Sequence, residues 1–194
     1  MSAEVCVIVA KNSDNAIGYK GDLLYRLKGD MVFFKNITQE VPDEKYKNAV
    51  IMGHNTWKSI PHKFRPLKNR INVVLTNNDT IVDQTDDVII SNQLTSVIED
   101  LKKNENIYRI FIIGGERLYN EAINQDMLDK LYITNILYKL PSNMTDTFFP
   151  DFDQNNWILE SSSQTFSEET IIVPLNKKDI VSYNFMLFTK NNSF

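Results

Sequence analysis

The chain has 194 residues, 42% of them hydrophobic and 24% charged, which excludes a disordered segment and suits a single domain with a sizeable core. Its formal net charge of -4 argues against a general nucleic-acid or membrane-surface binder. One cysteine, Cys6, and two histidines, His54 and His62, exclude an internal disulfide and a Cys- or His-rich metal centre, so no metal is expected.

Residues 5–9 (VCVIV) are continuously apolar, which predicts a first strand buried on both faces, and the run is far too short to cross a bilayer. No basic segment precedes it, so the expectation is a cytoplasmic protein rather than a secreted one. Residues 11–28, with Gly18 and Gly21, predict a long loop of the kind that carries function. Met31, Phe34 and Ile37 recur at helical spacing and predict a helix over 29–37. A second buried strand over 49–52 ends at Gly53, and a short helix over 55–60 stops at Pro61. Strands follow over 71–75 and 88–90, with the polar residues 76–87 between them read as a surface loop. Leu94, Val97, Ile98 and Leu101 share one face of an amphipathic helix over 94–101. Residues 110–123 read as strand, glycine turn and helix; 131–137, 157–160 and 182–189 supply late strands. The pattern predicts an α/β fold: a mixed, mostly parallel sheet with an antiparallel C-terminal edge, flanked by helices.

Four constellations can carry chemistry. Gly114-Gly115 ends a strand and opens a helix, where backbone can approach a ligand and free N–H groups can meet a phosphate. A tight turn with no ligand explains it equally well, and the spacing lacks the G-x-G-x-x-G fingerprint. Gly53-His54-Asn55-Thr56 repeats the arrangement. Two such turns at strand carboxyl ends suit an extended ligand with separated phosphates, although Asn55 or Thr56 can equally serve as a helix cap. Asp30 lies in the first turn of a helix and shares a face with Phe34. A carboxylate there either steadies the helix or, beside an apolar wall, pairs with an amidine-like heterocycle and has its pKa raised by burial. Arg70 offers a planar fork for a carboxylate, against the commoner reading of a strand-end charge. Tyr119 and Thr134 are polar handles or satisfied core hydroxyls.

Read together, these stretches resemble the dihydrofolate reductase family. The most particular segment is 50–61 (VIMGHNTWKSIP), backed in order by 16–23 (AIGYKGDL), 65–72 (RPLKNRIN), 112–119 (IIGGERLY) and 146–150 (DTFFP). The resemblance implies an eight-stranded mixed sheet, NADPH as cofactor, and dihydrofolate and antifolate-type inhibitors as ligands, and the expected state is a monomer. It makes Asp30 the pocket acid, braced by Thr134, with Tyr25 bridging from the closing loop. Phe34 and Met31 would sandwich the substrate, Val7, Ile8, Ile60, Leu67 and Ile113 would complete the walls, and Arg70 would hold the glutamate α-carboxylate. Ala10, Ile17, Gly18, Gly21, Asp22 and Leu23 would close over the nicotinamide. Ile113, Gly114, Gly115, Glu116, Arg117 and Leu118 would receive the pyrophosphate, with Tyr119 near the nicotinamide end. Gly53, His54, Asn55, Thr56, Thr76, Asn77, Ser91 and Asn92 would hold the remaining phosphates and adenosine. The Gly114-Gly115 peptide is cis in the family.

Two departures set further expectations. The family's Leu-Pro-Trp is here Leu23-Leu24-Tyr25, which keeps an aromatic hydrogen-bonding side chain but removes a stiffening proline and predicts a looser loop. Where the family places basic residues for the ribose 2′-phosphate, this chain has His54, Asn77 and Asn92, with Lys58 nearby. That predicts a weaker or pH-dependent preference for NADPH over NADH.

Overall fold

The computed structural model describes residues 2–77 and 87–191. In chain order the elements are β1 (Glu4–Asn12), β2 (Ala16–Tyr19), β3 (Asp22–Leu23), α1 (Lys28–Gln39), β4 (Lys47–Gly53), α2 (His54–Ser59), β5 (Arg70–Leu75) and β6 (Val88–Ser91). There follow α3 (Leu94–Lys103), β7 (Ile107–Gly114), α4 (Glu116–Asn124), β8 (Lys130–Ile136), β9 (Thr147–Phe148), β10 (Trp157–Ser162), β11 (Phe166–Ile172) and β12 (Lys177–Lys190). Most of the loop expected over 76–87 lies outside the described residues.

The main sheet runs β10-β12-β8-β1-β7-β4-β5-β6, with β11 also paired to β12. It therefore has nine strands rather than eight. From β8 to β6 every neighbour is parallel, and β12 is antiparallel to β8, β10 and β11. The chain moves outward from β1 to β4, β5 and β6, then returns to β7, between β4 and β1, and to β8 on the other side of β1. Right-handed crossovers consequently put α1 and α2 on one face and α3 and α4 on the other.

Alternation along β1 divides the core accordingly. Val5, Val7 and Val9 pack with Leu94, Val97, Leu118 and Ala122, whereas Cys6 and Ile8 pack with Trp57, Phe33, Phe34 and Ile113. Val7, expected among the substrate walls, thus turns its side chain to the face opposite Phe34.

The expected loop over 11–28 contains β2 and β3, which form a small separate sheet with β9. Asn12 starts it, its side-chain oxygen accepting from the backbone N–H of Asp14 and Ala16 at 3.0 and 2.9 Å. In the segment that follows, Leu24 and Tyr25 are buried, Val173 N donates to Leu24 O at 2.9 Å, and Arg26 N donates to Ile171 O at 3.3 Å, which ties it to the end of β11.

Candidate active site

Helix α1 presents Asp30 from its first turn, and β8 supplies Thr134 opposite. The Thr134 hydroxyl donates to Asp30 Oδ1 at 2.6 Å. Burial raises the Asp30 carboxyl from 3.8 to about 6; the Thr134 hydrogen bond pulls it down and the nearby Glu168 charge pushes it up. The acid therefore exchanges its proton within the physiological range.

The helix start is finished by residues far away in the sequence. Leu27 at the cap position offers no side-chain acceptor. Instead, the Glu168 carboxylate on β11 accepts from Lys28 N and from Gly29 N, the latter at 3.1 Å, and from the Tyr183 hydroxyl on β12 at 3.2 Å. Sequence reasoning missed Glu168 and Tyr183. Period-two inward facing of Phe166, Glu168, Thr170 and Ile172 was the available signal.

One turn beyond Asp30, Phe34 joins Ile8, Ile60, Leu67 and Ile113 in a single apolar cluster, while Met31 is exposed beside them. Phe33 packs against the same cluster and stacks on Phe185 with centroids 4.0 Å apart. The Arg70 guanidinium lies 5.9 Å from the Phe34 ring centroid. Its Nη1 donates to Thr38 Oγ1 at 2.7 Å and its Nε to Lys68 O at 3.1 Å. Burial lowers it to about 10, which leaves it cationic at neutral pH. It forms no ion pair with an acid among the described residues. Acid, aromatic wall and guanidinium thus line one side of the sheet in that order.

The two glycine turns meet. A Cβ on Gly53 would lie 3.9 Å from Gly115 N, and one on Gly114 would lie 3.1 Å from Thr56 Oγ1. The Gly114-Gly115 peptide is cis. Neither α2 nor α4, which Glu116, Arg117 and Leu118 open, has a side-chain cap. Strand register extends the line outward, with Met52 opposite Gly114, Gly53 opposite Leu75, and Leu75 opposite Ser91. Thr76 N donates to Ser91 O at 2.8 Å, so Thr76, Asn77, Ser91 and Asn92 gather at the end of that line. Tyr119 is buried against the slot and donates to Ile8 O at 3.1 Å. On the near side, Gly18 pairs with Leu23 and Thr147, Asp22 bonds Arg26 at 2.8 Å, and Leu23 is exposed. The Tyr25 hydroxyl donates to Tyr138 O at 2.7 Å, within the cluster that includes Ala10.

A family model described as dihydrofolate reductase matches residues 4–181. A dihydrofolate reductase of Candida albicans is 34% identical over 188 residues, covering 95% of each chain. One from Heliothis virescens is 33% identical over 94% of this chain and 96% of its own. A bifunctional dihydrofolate reductase-thymidylate synthase of Daucus carota is 38% identical over 77% of this chain and 28% of that protein. The chain belongs to the dihydrofolate reductase family.

The residues present fit the dinucleotide that family membership implies. The glycine cradle lets backbone approach a pyrophosphate, and the strand ends give an extended ligand a continuous track. His54 Nε2 is buried without a hydrogen-bond partner among the described residues. Burial and, after it, the Lys58 charge lower the His54 pKa, which disfavours its charged form.

Proposed function

We propose that this chain reduces 7,8-dihydrofolate to 5,6,7,8-tetrahydrofolate with NADPH. It acts as a cytoplasmic monomer and supports one-carbon metabolism and thymidylate synthesis. The observation that carries the reading is Asp30, hydrogen-bonded to Thr134 in a largely apolar slot that leads past Phe34 to Arg70.

In this reading Asp30 hydrogen-bonds the amino-pyrimidine edge of the pterin and promotes protonation at N5, the proton arriving through water. NADPH, when bound, supplies the hydride from nicotinamide C4 to pterin C6. Thr134 orients Asp30 through its hydroxyl. Phe34 and Met31 flank the substrate, with Ile8, Ile60, Leu67 and Ile113 keeping the slot dry. Arg70 grips the glutamate α-carboxylate with its planar fork. The backbone at Gly53 and Gly115, with Thr56, receives the cofactor's phosphates, and the segment from Ile17 to Leu23 covers the nicotinamide.

Loss of absorbance at 340 nm with NADPH and dihydrofolate, abolished by methotrexate, is the direct test. The rate is expected to fall as pH rises through about 6, because deprotonated Asp30 no longer promotes protonation at N5. A flat profile from pH 5 to 9, or no turnover at all, removes the proposal.

A further inference from the structure

The stretch 161–179 lacks a part in the chemistry derived so far, yet it reaches the acid. Strand β11 turns Glu168 inward onto the start of α1, where its two oxygens accept from Lys28 N and Gly29 N. Residue 29 has no side chain to keep Glu168 and Tyr183 away; a Cβ there would lie 1.9 Å from the Tyr183 hydroxyl oxygen and 3.4 Å from Glu168 Oε2. The three residues interlock directly before Asp30.

We infer that Glu168 is a positioning residue for Asp30: its carboxylate fixes the first turn of α1 and sets beside the acid a negative charge that opposes its ionisation. The inference rests on the proposed folate chemistry at Asp30.

Two physical effects act in the same direction. The open N–H groups at a helix start carry partial positive charge and would favour an ionised Asp30. Glu168 occupies two of those N–H groups, which removes much of that bias. Its own charge then adds repulsion. The polar groups facing Asp30 come from four elements: Thr134 on β8, Tyr119 on α4, Tyr183 on β12 and Glu168 on β11. Glu168 is the charged side chain among these. Tyr183 is itself pushed up to about 12, by burial first and then by the Glu168 charge, so it stays a donor at working pH.

The test is the pH dependence of single-turnover hydride transfer between pH 5 and 9 in wild type, Glu168→Gln, Glu168→Asp and Asp30→Asn. Glu168→Gln is expected to lower the apparent pKa of the falling limb by about half a unit, a roughly threefold lower rate on the high-pH side relative to its own low-pH plateau. Glu168→Asp, which restores the charge, is expected to bring the limb back toward its wild-type position. A cap of structural value alone would scale the whole curve and leave the pKa in place. A limb that Asp30→Asn abolishes but Glu168→Gln leaves unmoved overturns the inference while sparing the functional reading. A wild type with no such limb overturns both. If Glu168→Gln does not fold, Tyr183→Phe decides: loss of the donor leaves the Glu168 charge less compensated and moves the limb upward, and an unmoved limb again overturns the inference.

Discussion

Asp30, Thr134, Phe34 and Arg70 define the proposed substrate slot through their side chains. At Gly53, Gly114 and Gly115 it is backbone that meets backbone, at the carboxyl ends of β4 and β7. A site built from side chains concentrates its function in a few replaceable groups. A site built from backbone concentrates it in conformations that only certain residues can adopt. The two halves should therefore fail differently under mutation.

The largest expected effect is in the slot. Asp30→Asn keeps the size and the Thr134 hydrogen bond but loses the exchangeable proton, and kcat/KM at pH 7 should fall by about 10²- to 10³-fold. A loss under tenfold in steady-state assays would remove Asp30 from the centre of the chemistry. Next comes Arg70→Leu, which should raise KM for dihydrofolate while leaving kcat within a few fold. A charge-assisted hydrogen bond contributes about 1.5–3 kcal/mol, a factor of roughly 10 to 150. A fall in kcat alone would show that Arg70 acts on something other than the substrate's carboxylate.

On the crevice side, Gly114→Ala should weaken NADPH binding and lower stability together. Gly114 has φ of +137°, and the added methyl carbon would stand 3.1 Å from Thr56 Oγ1. Such backbone strain costs about 1–3 kcal/mol. Fluorescence titration with NADPH and thermal melts read the two losses, and unchanged values in both would break the contrast between the halves.

A smaller effect separates function from stability in the slot. The folded pKa of Asp30 lies above its unfolded value. The stability this group contributes is therefore fully present below about pH 4 and is lost as pH rises through about 6. Asp30→Asn escapes that loss, so the inactive variant should be the more stable protein at pH 8, by about 3 kcal/mol, with the advantage vanishing toward pH 4. Urea melts at the two pH values measure it. The smallest effect concerns His54, where NADPH/NADH selectivity should rise a few fold from pH 8 to 5.5, as protonation provides the 2′-phosphate with a cation. Flat selectivity would assign that role elsewhere.

The parallel half of the sheet was legible because its strands are buried on both faces and read as unbroken apolar runs, as in β1 and β4. Their glycine ends marked two turns at strand carboxyl ends, which is where the crevice lies. What escaped depended on partners distant in the chain. Strands β2 and β3 are short, four and two residues, and the second partner of β2, β9, lies more than a hundred residues on. Strand β11 alternates as a strand should, but its inward position 168 is a glutamate, which reads as solvent-facing until the start of α1 is placed against it. The partner of Leu24 O, Val173, is equally remote in the sequence, so that contact was not legible either. Val7 was legible in position but not in direction; a continuous apolar run hides which face each side chain takes.

The strand order has a temporal corollary. β12, the last of these strands, inserts between β10 and β8, and Asp30 meets Thr134 and the Lys28 N–H meets Glu168 across sequence separations of 104 and 140. A polypeptide still emerging from the ribosome thus has its acid long before it has the hairpin that seats it, so ligands bound at Asp30 are expected to stabilise only chains in which β11 and β12 have joined the sheet.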